Sequence, residues 1–263
     1  RWSRGLGDVY KRQIVRRKIL RDQTVMTNLA LQFPEEARKV LLDGIRNELP
    51  DGFDIDKHFN PPYRPWQQRI ALLPDGDLFE GIRSGKASVV TDQIDTFTET
   101  GIALQSGEAL EADVIITATG FDLAVLGDIA FSVDGLALDP TDCVTYRGLM
   151  FTGVPNLAYV FGYFRYSWTL RVDLLSDFVC RLLRHMDERD ASMVVPRLGE
   201  AEADMGLLPW VDPENFNPGY LTRSMHLMPK QGDRAPWQLP HDYMVEKEEL
   251  PAADLDDGAL VYR

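Results

Sequence analysis

The sequence predicts a mixed α/β fold. Three observations carry this: an apolar run that suits a strand buried on both faces, a series of short strand-like segments joined by tight turns, and one long amphipathic helix. The run lies in residues 112–121, A-D-V-I-I-T-A-T-G-F, where Val114, Ile115 and Ile116 are consecutive. Gly120 then lets the backbone turn at the carboxyl end, the end at which open α/β sheets bind their ligands.

The other elements follow in order. Residues 14–31 suit a helix of mixed periodicity. Residues 34–49 suit a better one, with Pro34 at its first position, Glu35 and Glu36 at the positive end, and Val40, Leu41 and Ile45 on one face. Residues 51–68 are rich in proline and aromatics and read as an ordered loop. Asp77 caps a short helix over 78–84, which Gly85 ends. Strands are predicted over 87–91, 93–98 and 101–105, with a turn at Ser106-Gly107 into a return strand over 113–119. A hairpin over 129–138 turns at Asp134-Gly135, and strands over 149–153 and 157–162 join through Val154-Pro155-Asn156. The longest helix is predicted over 167–186, with Ser167 as N-cap and Leu170, Leu174, Phe178, Leu182 and Met186 at helical spacing. Past Val195 the pattern turns irregular: loop over 209–218, a turn of helix within 219–228, and loop again over 230–237. The acidic tail from Glu246 is expected to fray.

Composition narrows the function classes. The 263 residues hold 28 basic and 41 acidic side chains, a net charge of −13, which argues against a general nucleic-acid binder. No apolar run approaches the length of an integral membrane segment. Cys143 and Cys180 sit in no C-x-x-C or metal spacing, so free thiols in a reducing, cytoplasmic compartment are expected. His58, His185, His226 and His241 are scattered and imply no metal site. Residues 1–13, R-W-S-R-G-L-G-D-V-Y-K-R-Q, resemble a translated sequencing-adaptor scar; they are excluded from the fold reading, and the chain reads as a fragment.

Several segments together resemble a known family. They are Y-R-P-W-Q-Q-R over 63–69, L-P-D-G-D-L-F over 73–79, I-I-T-A-T-G over 115–120, S-W-T-L over 167–170 and P-K-Q-G over 229–232. This order is similar to the C-terminal half of flavin-dependent monooxygenases of the Baeyer–Villiger type, with the nearest likeness in the ethionamide-activating subgroup. The resemblance covers roughly residues 51–243. The family's two G-x-G-x-x-G fingerprints, for FAD and NADPH, are not in this sequence; the only G-x-G, Gly5-Leu6-Gly7, lies in the excluded lead.

The resemblance implies an α/β flavoprotein fragment holding the C-terminal parts of two dinucleotide-binding domains. Residues 14–118 would belong to the NADPH domain and 119–263 to the FAD domain, with the missing N-terminal half of the chain as partner. It implies FAD and NADPH as cofactors, and a small organic substrate and O2 as reactants. Oxygen would be inserted through a peroxyflavin, in Baeyer–Villiger oxidation or S-/N-oxygenation. Arg69 matches the family's active-site arginine, a permanent cation suited to a peroxide anion. Ser167, Trp168 and Thr169, at the start of the long helix, would face the flavin, mostly through backbone N–H groups. Thr119, Gly120 and Phe121 mark the crossing between domains, where Gly120 would allow close approach of a cofactor. From the residues alone, each site also reads as ordinary structure: a surface arginine, a capped helix, a strand-end turn. Two rivals stay open, another flavin-dependent NAD(P)H oxidoreductase and a non-catalytic remnant acting only as a binding surface. Trp66, Tyr163, Phe164, Tyr166 and Trp168 could line a substrate pocket, though aromatic clusters are more often core.

Overall fold

The computed structural model describes residues 2–71, 73 and 75–263. Arg1 of the lead and Pro74 of the L-P-D-G-D-L-F segment lie outside them. The chain forms two compact units: Thr24–Phe121, and Arg1–Gln23 together with Asp122–Arg263. Helices and strands are mixed in it, as expected. Among the described residues the strand ladders are short and antiparallel, with one isolated parallel bridge between Val144 and Lys230.

The first helix, α1 (Trp2–Gln32), is longer than predicted and runs through the excluded lead. No proline interrupts it, and extending a formed helix costs far less than starting one. From Thr24 onward it belongs to the unit Thr24–Phe121. There α2 (Pro34–Arg46) starts at Pro34 as predicted, but Ala37 is its buried residue and Val40 is 53% exposed. Arg38 of α2 donates to Asn60 Oδ1 at 2.7 Å, to the Pro61 carbonyl at 2.7 Å and to the Tyr63 carbonyl at 2.9 Å. That anchors the proline-rich loop, which also holds a short helix the pattern did not show, α3 (Ile55–Phe59), capped by Asp54. The N-cap of α4 (Asp77–Arg83) is Gly76, at φ +67°, so Asp77 is its first residue rather than its cap.

Three strands follow, β1 (Ile94–Thr98), β2 (Gly101–Leu104) and β3 (Ala109–Glu111), as an antiparallel sheet in that order. The turn at Gln105–Gly107 is where it was expected. Two strand expectations fail. Residues 87–91 form no ladder, and the return strand stops at Glu111. The last ladder-like bond runs from the Ala112 N–H to the Thr100 carbonyl. Beyond it residues 112–121 are irregular, with Val114 76%, Ile115 39% and Ile116 86% exposed. An apolar run becomes a buried strand only when neighbouring strands accept its backbone groups, and among the described residues none pairs with it.

In the other unit, β4 (Ser132–Val133) and β5 (Leu136–Ala137) form the expected hairpin. Asp134 and Gly135 both have positive φ, as a type I′ turn requires. The strands β6 (Thr145–Tyr146) and β7 (Met150–Phe151) pair next. Residues 157–162 form no ladder; a backbone bond from the Tyr159 N–H to the Leu149 carbonyl and a side-chain bond from Arg171 to the Phe161 carbonyl hold them. Then comes α5 (Trp168–Glu188), with Ser167 at its N-cap. After it, β8 (Val194–Pro196), β9 (Leu207–Pro209), α6 (Gly219–Ser224) and β10 (Lys230–Gly232) occupy the stretch read as mostly irregular. β9 pairs with β10.

The tail is the largest correction. It does not fray: α7 (Tyr243–Ala252) packs on α5, and β11 (Leu260–Tyr262) pairs with β8. Its acidic composition hides buried Leu250, Ala253, Leu255, Ala259 and Leu260, which share a core with Leu175, Phe178, Leu182 and Trp237. Arg181 of α5 donates to the Leu250 and Ala253 carbonyls at 2.8 and 2.7 Å, satisfying the end of α7. Both cysteines are free, Cys143 buried and Cys180 exposed. Leu250→Ala should therefore lower the unfolding free energy by about 2–5 kcal/mol. A urea titration reads this directly; a change below about 0.5 kcal/mol would mean the tail is dispensable.

Candidate functional site

The sequence-predicted residues fall in three places. Arg69 is exposed and lies two residues past a turn closed by Arg64 and Gln67. In that turn the Arg64 N–H donates to Gln67 Oε1 at 3.1 Å and the Gln67 N–H to the Arg64 carbonyl at 3.0 Å. Trp66 sits between them at φ +60°, an uncommon conformation for a bulky residue. Thr119, Gly120 and Phe121 are exposed at the end of the same unit. Gly120 has φ +99°, which favours glycine, and a Cβ there would meet nothing within 4 Å. Ser167, Trp168 and Thr169 come together in the first turn of α5, in the other unit.

That first turn has the features of a ligand-facing helix end. It carries no acidic residue, and the Ser167 side chain makes no capping bond to the backbone. Instead the Ser167 and Thr169 hydroxyls bond each other at 2.9 Å, leaving the partial positive charge of a 21-residue helix on its backbone N–H groups. A cavity of about 490 Å3 opens there, lined by Ser167, Thr169 and Leu170 on one side and by Val15, Arg16, Ile19 and Leu20 of α1 on the other. Lys11 and Arg12, from the excluded lead, complete the wall. Its volume lies within the range of small-molecule and cofactor pockets.

Trp168 is held in a specific way. Its indole lies 4.9 Å from the Phe161 ring centroid. A Cβ on Gly162 would come within 2.2 Å of the Trp168 ring, so only glycine admits it. Behind it, Tyr163, Phe164 and Tyr166 are buried and serve the core rather than an open pocket.

Two polar features escaped the sequence reading. Arg171 and Glu246 form an ion pair at 2.9 Å, with side chains 0% and 3% exposed. His241, dismissed as scattered, lies against Phe164 at 4.4 Å with Phe161 and Trp210 near. Among the described residues neither of its ring nitrogens makes a hydrogen bond of ordinary geometry. Burial pushes its pKa down to about 3, and the Arg171 and Arg165 cations add to the shift. No cluster of metal-ligating side chains occurs among the described residues, and no helix there is long and apolar enough to cross a membrane.

No family model matches the chain. It is 46% identical over 243 residues to the FAD-containing monooxygenase EthA of Mycolicibacterium smegmatis, covering 92% of this chain and 48% of that protein. It is 43% identical over 259 residues to the FAD-containing monooxygenase EthA of Mycobacterium tuberculosis, covering 98% and 52%. The "Probable FAD-binding monooxygenase AlmA" of Acinetobacter baylyi is 43% identical over 232 residues, covering 88% and 46%. The chain matches the bacterial FAD-containing monooxygenases at the level of the family. It spans about half the length of the curated relatives it matches. The resemblance to flavin-dependent monooxygenases read from the motifs is thereby borne out.

The buried histidine has a pH consequence. In the unfolded chain His241 titrates near its ordinary value of 6.5, and in the folded chain near 3. Between those values the unfolded state binds more protons, so this residue's contribution to stability falls as pH drops below 6.5. His241→Phe keeps the ring and removes both nitrogens. Its stability relative to wild type should grow between pH 6.5 and 4 in denaturant titrations; a constant difference across that window would exclude His241 as the source.

Proposed function

We propose that this chain is the C-terminal half of an FAD- and NADPH-dependent monooxygenase that inserts one oxygen atom from O2 into a small organic molecule. The observation that carries this reading is the 43–46% identity to FAD-containing monooxygenases over nearly the whole chain. Residues 14–118 complete an NADPH-binding domain and 119–263 an FAD-binding domain. The exposed run Val114–Ile116 supports this, since such a segment suits a sheet supplied by the rest of the protein. Two free cysteines suit a reducing, cytoplasmic setting.

The residues present fit a flavin. The α5 end offers unneutralised backbone donors beside a cavity of cofactor size, as a ring oxygen gaining negative charge requires. Bound FAD would supply the activation of O2, drawing electrons from NADPH. The backbone of Trp168 and Thr169 holds the electron-rich edge of the ring. Thr119, Gly120 and Phe121 carry the chain past the cofactor between domains. Arg69 supplies a fixed cation that holds developing negative charge and orients the nicotinamide. Ketones, sulfides and amines are the substrate classes this chemistry serves, by Baeyer–Villiger oxidation or S-/N-oxygenation.

The full-length protein should bind FAD as a yellow complex and consume NADPH and O2 together with formation of oxygenated product. NADPH oxidation with no oxygenated product from any of the three substrate classes would favour the reductase reading instead. Thr169→Pro, tolerated in a first helical turn, removes one donor and should weaken FAD binding roughly tenfold. Arg69→Ala should leave flavin reduction by NADPH intact and cut product formation by about 10²–10³-fold. Stopped-flow reduction and product analysis separate the two steps, and wild-type product yield would remove Arg69 from the site.

A further inference from the structure

We propose that Arg171 is a positioning residue, whose guanidinium fixes the first turn of α5 in register for the cofactor read as docking there. This rests on the flavin reading of that helix end. Arg171 lies three residues after Trp168, in the opening stretch of α5. Its guanidinium N–H groups all find acceptors. Nε donates to the Glu246 carboxylate at 3.0 and 3.2 Å. Nη1 donates to the Phe161 carbonyl at 2.7 Å and the Gly148 carbonyl at 3.3 Å, and Nη2 to the Arg147 carbonyl and Glu246 Oε1, both at 2.9 Å. One planar group thus joins α5, the β6–β7 turn, the Phe161–Gly162 segment and α7.

The Phe161–Gly162 segment makes this more than a staple. Gly162 seats the Trp168 indole, and the neighbouring Phe161 carbonyl takes Arg171. Residues three apart on a helix share a face, so two contacts to one segment set both the rotation and the height of the first turn. Attraction between the charges is not what calls for them, because apolar residues of similar volume often replace a buried ion pair without loss; the three carbonyls that accept from Arg171 call for a donor. A rigid fork of five donors instead specifies one geometry. Glu246 also cancels the arginine's charge, so Arg171 adds no net charge to the field at the helix end.

The test uses the full-length protein loaded with FAD. Arg171→Met combined with Glu246→Met removes both charges together and leaves an unbranched apolar side chain at each position. The expected result is an FAD dissociation constant raised roughly tenfold and a lower flavin midpoint potential, beside an apoprotein melting temperature lowered because three carbonyls lose their donor. Arg171→Lys, which keeps the charge but not the fork, should recover part of both flavin readouts. Unchanged affinity and potential in the double variant overturn the proposal, whatever the melting temperature does, because only a structural role is then left. Thr169→Pro run in parallel tells the two failures apart. If it weakens FAD binding while the double variant does not, the helix-end reading stands and the positioning role falls. If Thr169→Pro changes neither affinity nor potential, the helix-end reading falls and the positioning role with it. Should the double variant not fold, Arg171→Lys decides alone: wild-type affinity and potential overturn the proposal, and a weakened, shifted flavin supports it.

Discussion

The Arg171–Glu246 pair is the constraint on which the larger unit depends. Taking two charges out of water costs several kcal/mol each, and attraction alone returns that only with good geometry and further hydrogen bonds. Here the geometry is bidentate, and three backbone carbonyls use the remaining donors. Those carbonyls come from loops and turns, the parts of a fold least able to satisfy their own backbone groups. The pair therefore settles several accounts with one group, and it turns an acidic tail into a helix packed on the core. Tyr163 faces the same carboxylate, which together with burial pushes its phenol up and keeps it neutral.

The unit Thr24–Phe121 has no comparable centre. Among its described residues the buried apolar ones are few: Ala30, Ala37, Leu49, Ile55 and Leu104. Many larger ones lie in water, among them Phe33, Phe97, Ile116 and Phe121. Every residue of β1 is exposed. A three-stranded sheet needs an apolar layer against one face to be stable, and these side chains are of the kind that form such a layer. On the proposed reading of this chain as the C-terminal half of a monooxygenase, that layer would come from the remainder of the protein.

What the sequence made legible followed from local physics. The long helix and its start at Ser167, the Asp134-Gly135 hairpin and the proline start of α2 each depend on residues within a few positions of one another. What it hid depended on distant partners. The run at 114–116 was read as buried because its composition demands burial, but burial requires neighbouring strands, and none of the described residues pairs with it. The tail was read as frayed because Glu246, Glu248 and Glu249 dominate its composition, yet Glu246 meets an arginine 75 residues away. A sharper reading of α5 was available. The buried stripe runs Arg171, Leu175, Phe178, Leu182, Met186, and an arginine in phase with four core residues is a buried cation in need of a carboxylate.

The candidate site resisted motif reading for a related reason. Its family likeness rests on short words such as S-W-T-L, yet the Ser167 and Thr169 hydroxyls bond each other, and what the helix end offers a ligand is backbone. Backbone donors leave no mark on side-chain identity. Their mark falls on the residues that aim them: a glycine that admits an indole and an arginine whose donors are all engaged. The chemistry of such a site is therefore written one layer behind it, in residues that need not touch the cofactor. This is why Gly162 and Arg171 carry as much information about α5 as the three residues at its tip.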